Sequence, residues 1–176
     1  MNRSAVRPSA ELAMWRCAAA VLLLAGCTTY DGRGLVPGQS KAGDVQELMG
    51  SPPDRLAFPD GSANWYYTTG PRGFTTHAVR FSPQGLVQSV EQVLTTQSVA
   101  KLVAGETTAD KVREILGPPS RISRLALQDR NVWEYRMYND AQAEFDLYVQ
   151  LSDEGIVREV LLLKDYHKEP GGRGRR

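Results

Sequence analysis

Apolar positions predict the same short helix twice along this chain. Residues 45–49 and 112–116 carry their large apolar side chains three and four positions apart, which places them on one side of a helix. Gly50 and Gly117 follow directly, and glycine suits the residue that ends a helix. Ser40 and Thr107 are the predicted N-cap residues, since a side-chain oxygen there accepts from a free backbone N–H.

After each predicted helix, apolar residues alternate with others at period two, which is typical of strands. Trp65 and Tyr67 in the first case, and Trp133 and Tyr135 in the second, are predicted to face a core. Residues 79–81 and 149–151 continue the alternation, and residues 82–85 and 152–155 predict turns into a last strand. An additional helix is predicted over residues 98–104, where Val99, Leu102 and Val103 share a face.

These elements form an internal repeat. Residues 36–40 are echoed by 103–107 and residues 44–52 by 111–119, and later blocks agree in order and kind after small insertions. The predicted fold is therefore α+β. It has two tandem units, each with one or two short helices packed on a three- to four-stranded antiparallel meander sheet. We place the units at 35–94 and 95–165. Because each is small for an independent core, we expect the two to pack on each other or to join their sheets.

The amino-terminal residues predict export. Arg3, Arg7 and Arg16 precede a short apolar run over residues 17–27. About ten apolar residues rise only ~15 Å as a helix, half of a ~30 Å hydrocarbon core, so a signal peptide is favoured over a membrane span.

The end of that run, residues 24–27 (Leu-Ala-Gly-Cys), resembles the lipobox of bacterial lipoproteins. The resemblance implies that residues 1–26 are removed as a signal peptide and that Cys27 becomes the acylated first residue. Thr28 after that cysteine implies sorting to the outer membrane, with the folded part facing the periplasm. Translation from Met1 or from Met14 agrees equally well with this pattern.

Two terminal segments are predicted to lie outside the fold. Residues 27–34 are small, polar and glycine-rich, which indicates a lipidated, flexible tether. Residues 166–176 are predicted to be a disordered basic tail. Solvation of the tail is favoured over contact with anionic lipid.

Charge and candidate chemistry favour a non-enzymatic protein. Lys and Arg number 21 against 20 Asp and Glu, so there is no overall bias towards nucleic acid. The two histidines, His77 and His167, stand far apart, and no base and orienting residue come together in the sequence. Asp140, Glu144 and Asp146 lack the spacing of a calcium loop and are interpreted as a solvated turn. We expect no metal, no cofactor and no small-molecule substrate.

The repeat resembles the SmpA/OmlA family of outer-membrane lipoproteins, which includes BamE. The features that carry the resemblance are the Val/Leu helix, the Gly-Ser-Pro of residues 50–52 and the Gly-Pro-Pro of residues 117–119, Trp-x-Tyr, and the Gly-Leu/Ile-Val strand; they are clearest over residues 105–119. It implies a small α+β domain that assists assembly of outer-membrane proteins. BamE-like proteins carry one copy, whereas two copies resemble the tandem architecture of the β-lactamase inhibitor proteins, so the resemblance implies the fold and leaves the partner open.

The predicted function is an outer-membrane-anchored periplasmic scaffold or assembly factor for envelope proteins. The alternative is an inhibitor-type module that binds an envelope hydrolase. Tyr66, Glu134, Arg136 and Tyr138 alternate with the core residues, so they are predicted to lie on an exposed protein-binding face.

Overall fold

The computed structural model describes residues 31–69 and 73–164. The predicted signal peptide, the lipidation site Cys27 and the basic tail of residues 166–176 lie outside the described residues. The described part is mixed α+β and contains two units, as the sequence predicts, with few and short helices.

The first unit consists of one helix followed by a four-stranded antiparallel meander in the order β1-β2-β3-β4. Its elements are α1 (Ala42–Met49), β1 (Asp54–Ala57), β2 (Ala63–Thr69), β3 (Thr75–Phe81) and β4 (Val87–Gln92). The apolar side of α1 covers one face of this sheet. The buried side chains between them are Val45, Met49, Trp65, Tyr67, Val79, Phe81 and Val87.

The second unit repeats this order after one added helix, again with a four-stranded meander, β5-β6-β7-β8. Its elements are α2 (Thr96–Val99), α3 (Ala109–Leu116), β5 (Arg121–Leu125), a 3₁₀ turn (Ala126–Gln128), β6 (Arg130–Tyr138), β7 (Glu144–Leu151) and β8 (Val157–Lys164). Its core contains Val112, Leu116, Tyr135, Met137, Leu147, Val149, Leu151 and Val157.

A tyrosine ties each sheet to the turn that ends its helix. The Tyr67 hydroxyl donates to the carbonyl of Gly50 over 3.0 Å, and the Tyr135 hydroxyl donates to the carbonyl of Gly117 over 3.3 Å. The carbonyls at the end of a helix have no partner within it, so these bonds satisfy groups that burial would otherwise leave unpaired. Burial raises the pKa of the Tyr67 hydroxyl to about 12.

The helix starts differ from the prediction by one residue. α3 is capped by Thr108, whose Oγ1 accepts from the Lys111 N–H over 3.2 Å. Thr107 instead accepts from Val103 N–H over 2.8 Å, and Ser40 accepts from Val36 N–H over 2.9 Å. The two predicted caps therefore close the turn before each helix. The predicted helix over residues 98–104 is also wrong in its bounds, since α2 covers Thr96–Val99.

The folded part begins and divides at slightly different places from the prediction. Gly32, inside the predicted tether, is buried, and a Cβ on it would lie 2.7 Å from the Val90 side chain. Packing therefore reaches back at least to Gly32. Leu94, assigned to the first unit, is 2% exposed and lies in the core of the second. In the described ranges there is no helix long and apolar enough to cross a membrane.

Candidate protein-binding face

Each sheet has a second face, turned away from its own helix, and the two units use that face differently. On the first sheet it carries Tyr66, Ala78 and Val93, all nearly fully buried. We call this the covered face. Because the first unit's own helix lies on the opposite side, another part of the chain must bury these residues, and that part is the second unit.

Tyr66 lies at the centre of the contact between the units. Its side chain is 0% exposed, and its hydroxyl donates to the backbone carbonyl of Glu114, in the last turn of α3, over 3.2 Å. The side-chain amide of Asn64 lies 3.2 Å from the same hydroxyl. Burial raises the pKa of Tyr66. The prediction that Tyr66 belongs to an exposed binding face is therefore wrong, because the second unit packs over it.

The turn after α3 comes very close to the covered face. A Cβ on Gly117 would lie 3.0 Å from Thr76 and 3.1 Å from Tyr66. Beside this contact, Arg113 Nη2 on α3 pairs with Asp54 Oδ1 on β1 at 2.6 Å, and both side chains are partly exposed. Glycine at position 117 thus permits the approach of the two units as well as the end of the helix.

The second sheet leaves much of the corresponding face uncovered by the described residues, although Val132 and Gln150 on it are 6% and 7% exposed. On β6 it carries Val132, Glu134, Arg136 and Tyr138, and on β7 it carries Glu144, Asp146, Tyr148 and Gln150, as the register of the two strands requires. Leu161 and Leu163 extend it on β8, opposite Tyr148 and Asp146. We call this surface the open face. Three predicted recognition residues, Glu134, Arg136 and Tyr138, lie on it.

The charged groups of the open face pair with one another. Arg121 Nε lies 3.5 Å from Glu134 Oε1, which also accepts from the Ser123 hydroxyl over 2.9 Å. Arg136 Nε lies 3.4 Å from Asp146 Oδ1. These pairs are partly exposed and contribute little to stability, but they fix the side chains in place. The open face therefore carries paired charges on its two central strands, with no large excess of either sign.

Tyr138 occupies a different position from the other three predicted residues. Its ring stacks on that of Phe74 from the first unit, with centroids 4.8 Å apart and planes at 26°. Offset or tilted aromatic pairs of this kind stabilise the contact they span. Tyr138 thus joins the open face to the contact between the units, where it is half-buried.

An apolar depression of about 290 Å³ crosses the open face. Residues that the sequence analysis missed form most of it: Leu125, Val132, Tyr148, Leu161 and Leu163, beside Ser123, Glu134 and Gln150. Leu163 is 53% exposed and Leu125 is 40% exposed. The signal that points to them is the run of leucines at 161–163, where the first unit has Glu91, Gln92 and Val93.

Two larger clefts lie along the junction of the units, with volumes of about 590 and 520 Å³. Arg80 and Glu114 line both. Their charged groups are occupied by neighbours, since Lys111 Nζ lies 2.8 Å from Glu114 Oε1 and Arg80 Nε lies 3.8 Å from Glu91 Oε1. The clefts are therefore less suited to a partner than the open face, whose depression is lined mainly by apolar side chains.

The residues considered for chemistry stay apart. His77 lies on β3 opposite Tyr67, where burial lowers its pKa, and its Nδ1 makes no hydrogen bond to a described residue. Asp140 accepts from the Thr96 hydroxyl over 2.6 Å, and Asp146 pairs with Arg136. Among the residues that the structure describes, no three His, Cys, Asp or Glu side chains are grouped to hold a metal ion.

No protein-family model and no curated protein sequence matches the chain. Among solved structures, the crystal structure of a DUF4309 family protein (YjgB) from Bacillus subtilis is similar to it, with 16% sequence identity and a TM-score of 0.30. The match covers 76% of this chain and 84% of that protein. A likeness of this size carries no inference about function.

Proposed function

We propose that the protein is a lipid-anchored, non-enzymatic scaffold of the bacterial envelope that binds a partner protein through the open face. It resembles the SmpA/OmlA lipoproteins in its repeat, and its partner is an envelope or outer-membrane protein. Anchoring is through acyl chains on Cys27 in the outer membrane, with both units on the periplasmic side.

The contrast between the two sheets is the observation that carries this proposal. On the covered face the side chains of Tyr66, Ala78 and Val93 are almost completely buried. On the open face Leu163, which occupies the position equivalent to Val93, is half exposed. An apolar sheet face is normally buried, because leaving large apolar side chains in water is unfavourable. The open face is therefore suited to burial against another protein.

The composition of the open face fits a protein partner. The partly buried Tyr148 on β7 and the half-exposed Leu163 on β8 are among its apolar groups, and the pairs Arg121–Glu134 and Arg136–Asp146 lie beside them on β5, β6 and β7. Aromatic side chains and arginine are enriched at protein interfaces. Ion pairs at an interface add specificity more than affinity, since wrongly placed charges on a competitor are repelled.

The predicted anchor and the first unit are close in the sequence. Gly32, which packs on β4, follows the predicted acylated residue Cys27 by five positions. A fully extended chain of that length spans about 18 Å at most. The first unit is therefore held near the bilayer surface, and acyl chains on Cys27 make that attachment stable.

Membrane fractionation and affinity purification test the proposal together. We expect the wild-type chain in the outer-membrane fraction, and we expect Cys27→Ser to release it. A partner recovered in stoichiometric amount with the wild type should be lost with Tyr148→Ala/Leu161→Ser, while Glu47→Ala on the far side of the first unit leaves recovery unchanged. Indifference to Cys27→Ser, with only soluble partners recovered, would contradict the scaffold. A one-to-one complex that blocks an envelope hydrolase would favour the inhibitor instead.

A further inference from the structure

The last strand, β8, forms an apolar edge of the second sheet. It pairs with β7 on one side only, and it is eight residues long. Leu162 is 37% exposed on the side of the helices and Leu163 is 53% exposed on the open face. Long, exposed apolar edges are sites of further strand pairing, and proteins usually protect them with charge or cover.

The corresponding edge of the first unit is protected. At the positions of Leu161, Leu162 and Leu163, strand β4 and the residue after it have Glu91, Gln92 and Val93. The side chain of Val93 is buried. Its N–H donates to the Thr76 carbonyl over 2.8 Å, at the point where the chain crosses to the second unit. The apolar edge is therefore a property of the second unit alone.

The free side of β8 is blocked only near its beginning. The Val157 N–H donates to the Thr107 carbonyl over 2.9 Å, and the Val157 carbonyl accepts from Gly105 N–H over 2.8 Å. Leu162 lies opposite Leu147 of β7, and Val157 lies opposite Leu151. Leu147 and Leu151 are four positions apart, and backbone groups point to alternate sides along a strand. The backbone groups of Leu162 therefore point to the same side as those of Val157. Within the described residues, no backbone bond reaches that side of the strand between residues 158 and 163.

We propose that β8 pairs antiparallel with β8 of a second copy, about a two-fold axis at Leu162. In this register Leu162 lies opposite the Leu162 of the second copy, and Leu161 lies opposite Leu163. The two sheets become one continuous eight-stranded sheet. Because the axis is perpendicular to that sheet, both open faces lie on the same side and form one larger recognition surface.

The residues of the β8 edge indicate that the strand pairing with it is β8 of a second copy. A register centred nearer the start of β8 places the second strand on Val157, whose backbone groups are already bonded. A centre at Leu162 avoids that position and sets leucine against leucine on the open face. Isologous pairing needs such self-complementarity, and this strand supplies it. The other edge of the sheet, β5, lacks it because Arg121 and Arg124 are held in ion pairs there.

The expected dimer is weak in solution and favoured on a membrane. Pairing of one short strand buries less than the ~1,600 Å² of a standard interface. Two copies anchored in the same bilayer, however, meet at a much higher effective concentration than free molecules. Full-length protein in its membrane is therefore the right material for a test.

Disulfide crosslinking of variants with one introduced cysteine tests the register. Residues directly opposite in a hydrogen-bonded antiparallel pair have Cα atoms about 5.5 Å apart, within disulfide range. Leu162→Cys in the full-length chain, oxidised in membranes, should give a covalent dimer. Ile122→Cys is the matched control, since Ile122 is 59% exposed on the other edge strand. Equal dimer yields from the two variants would overturn the proposal.

A charge exchange separates pairing from mere exposure of the thiol. In the Leu162→Cys background, Leu161→Glu should lower the yield several-fold, and adding Leu163→Lys should restore it, because opposite charges then face each other across the axis. No recovery in the double variant would overturn the register. Failure of Leu162→Cys alone to form a dimer, while the partner is still recovered through the open face, would reject this inference and leave the proposed function standing.

Discussion

The hydroxyl of Tyr66 in the first unit donates to the backbone carbonyl of Glu114 in the second, over 3.2 Å. This bond satisfies a carbonyl in the last turn of α3 at the partly buried junction of the units. We therefore expect Tyr66→Phe to lower the free energy of unfolding by about 1 kcal/mol, the usual net value for such a bond. Urea unfolding at neutral pH measures it.

Tyr148→Phe is the control for that substitution. Tyr148 lies on the open face, the side of the second sheet that corresponds to the covered face of the first. Removal of its hydroxyl should change the free energy of unfolding by less than ~0.5 kcal/mol. Equal losses from the two substitutions would show that Tyr66 does not join the units as described.

Gly117→Ala should be more destabilising than Gly50→Ala. Both glycines have nearly the same backbone conformation, with φ near +80° and extended ψ, so alanine is strained at either position by about 1–3 kcal/mol. A Cβ at position 50 meets nothing within 4 Å, whereas at position 117 it lies 3.0 Å from Thr76. Crowding should add roughly 1–3 kcal/mol at Gly117.

Thermal unfolding of the two glycine variants gives the comparison. The difference between them isolates the contact of the units, because the strain is common to both. A smaller loss for Gly117→Ala than for Gly50→Ala would contradict the close approach of the α3 turn to the covered face.

The pair Arg113–Asp54 should couple the units modestly. Its atoms are 2.6 Å apart, but the side chains are 37% and 21% exposed, so solvent screens the attraction. A double-mutant cycle of Arg113→Ala and Asp54→Ala should give an interaction energy of about 0.5–1 kcal/mol at low salt and less at high salt. A coupling energy of zero at low salt would mean that the pair does not hold the units together.

Stability should fall between pH 10 and 12. The folded-state pKa of Tyr67 is raised to about 12 by burial, so above pH ~10 the unfolded chain loses a proton that the folded chain retains. Unfolding is then favoured as the pH rises through that window. Urea midpoints measured from pH 8 to pH 12 should show a smaller decline for Tyr67→Phe than for the wild type.

Much of each unit follows from local patterns in the sequence. Trp65 and Tyr67 are predicted core residues and are 9% and 1% exposed, because period-two alternation fixes which side chains share a face. The helices end at Gly50 and Gly117 as predicted, since a positive φ favours glycine. The predicted start of α3 is off by one residue because Thr107 and Thr108 both have capping chemistry.

The error at Tyr66 has a different origin. Alternation separates the faces of a strand, but it does not say whether a distant unit covers the second one. Tyr66 and Glu134 occupy equivalent positions, and only the apolar neighbours of Tyr66, Ala78 and Val93, indicate burial. The same comparison of the repeats, applied to residues 161–163, would have predicted the apolar part of the open face.

Photo-crosslinking from the open face tests the central claim most directly. A photoreactive amino acid replaces Tyr148 in the lipidated full-length protein. In a second, reference variant the same photoreactive amino acid replaces the exposed Glu47 on α1. The account predicts a discrete heterologous adduct from position 148 that is absent from position 47 and is lost on addition of Leu163→Glu, at a residue that is 53% exposed. Equal adducts from both positions, or an adduct that survives Leu163→Glu, would contradict it.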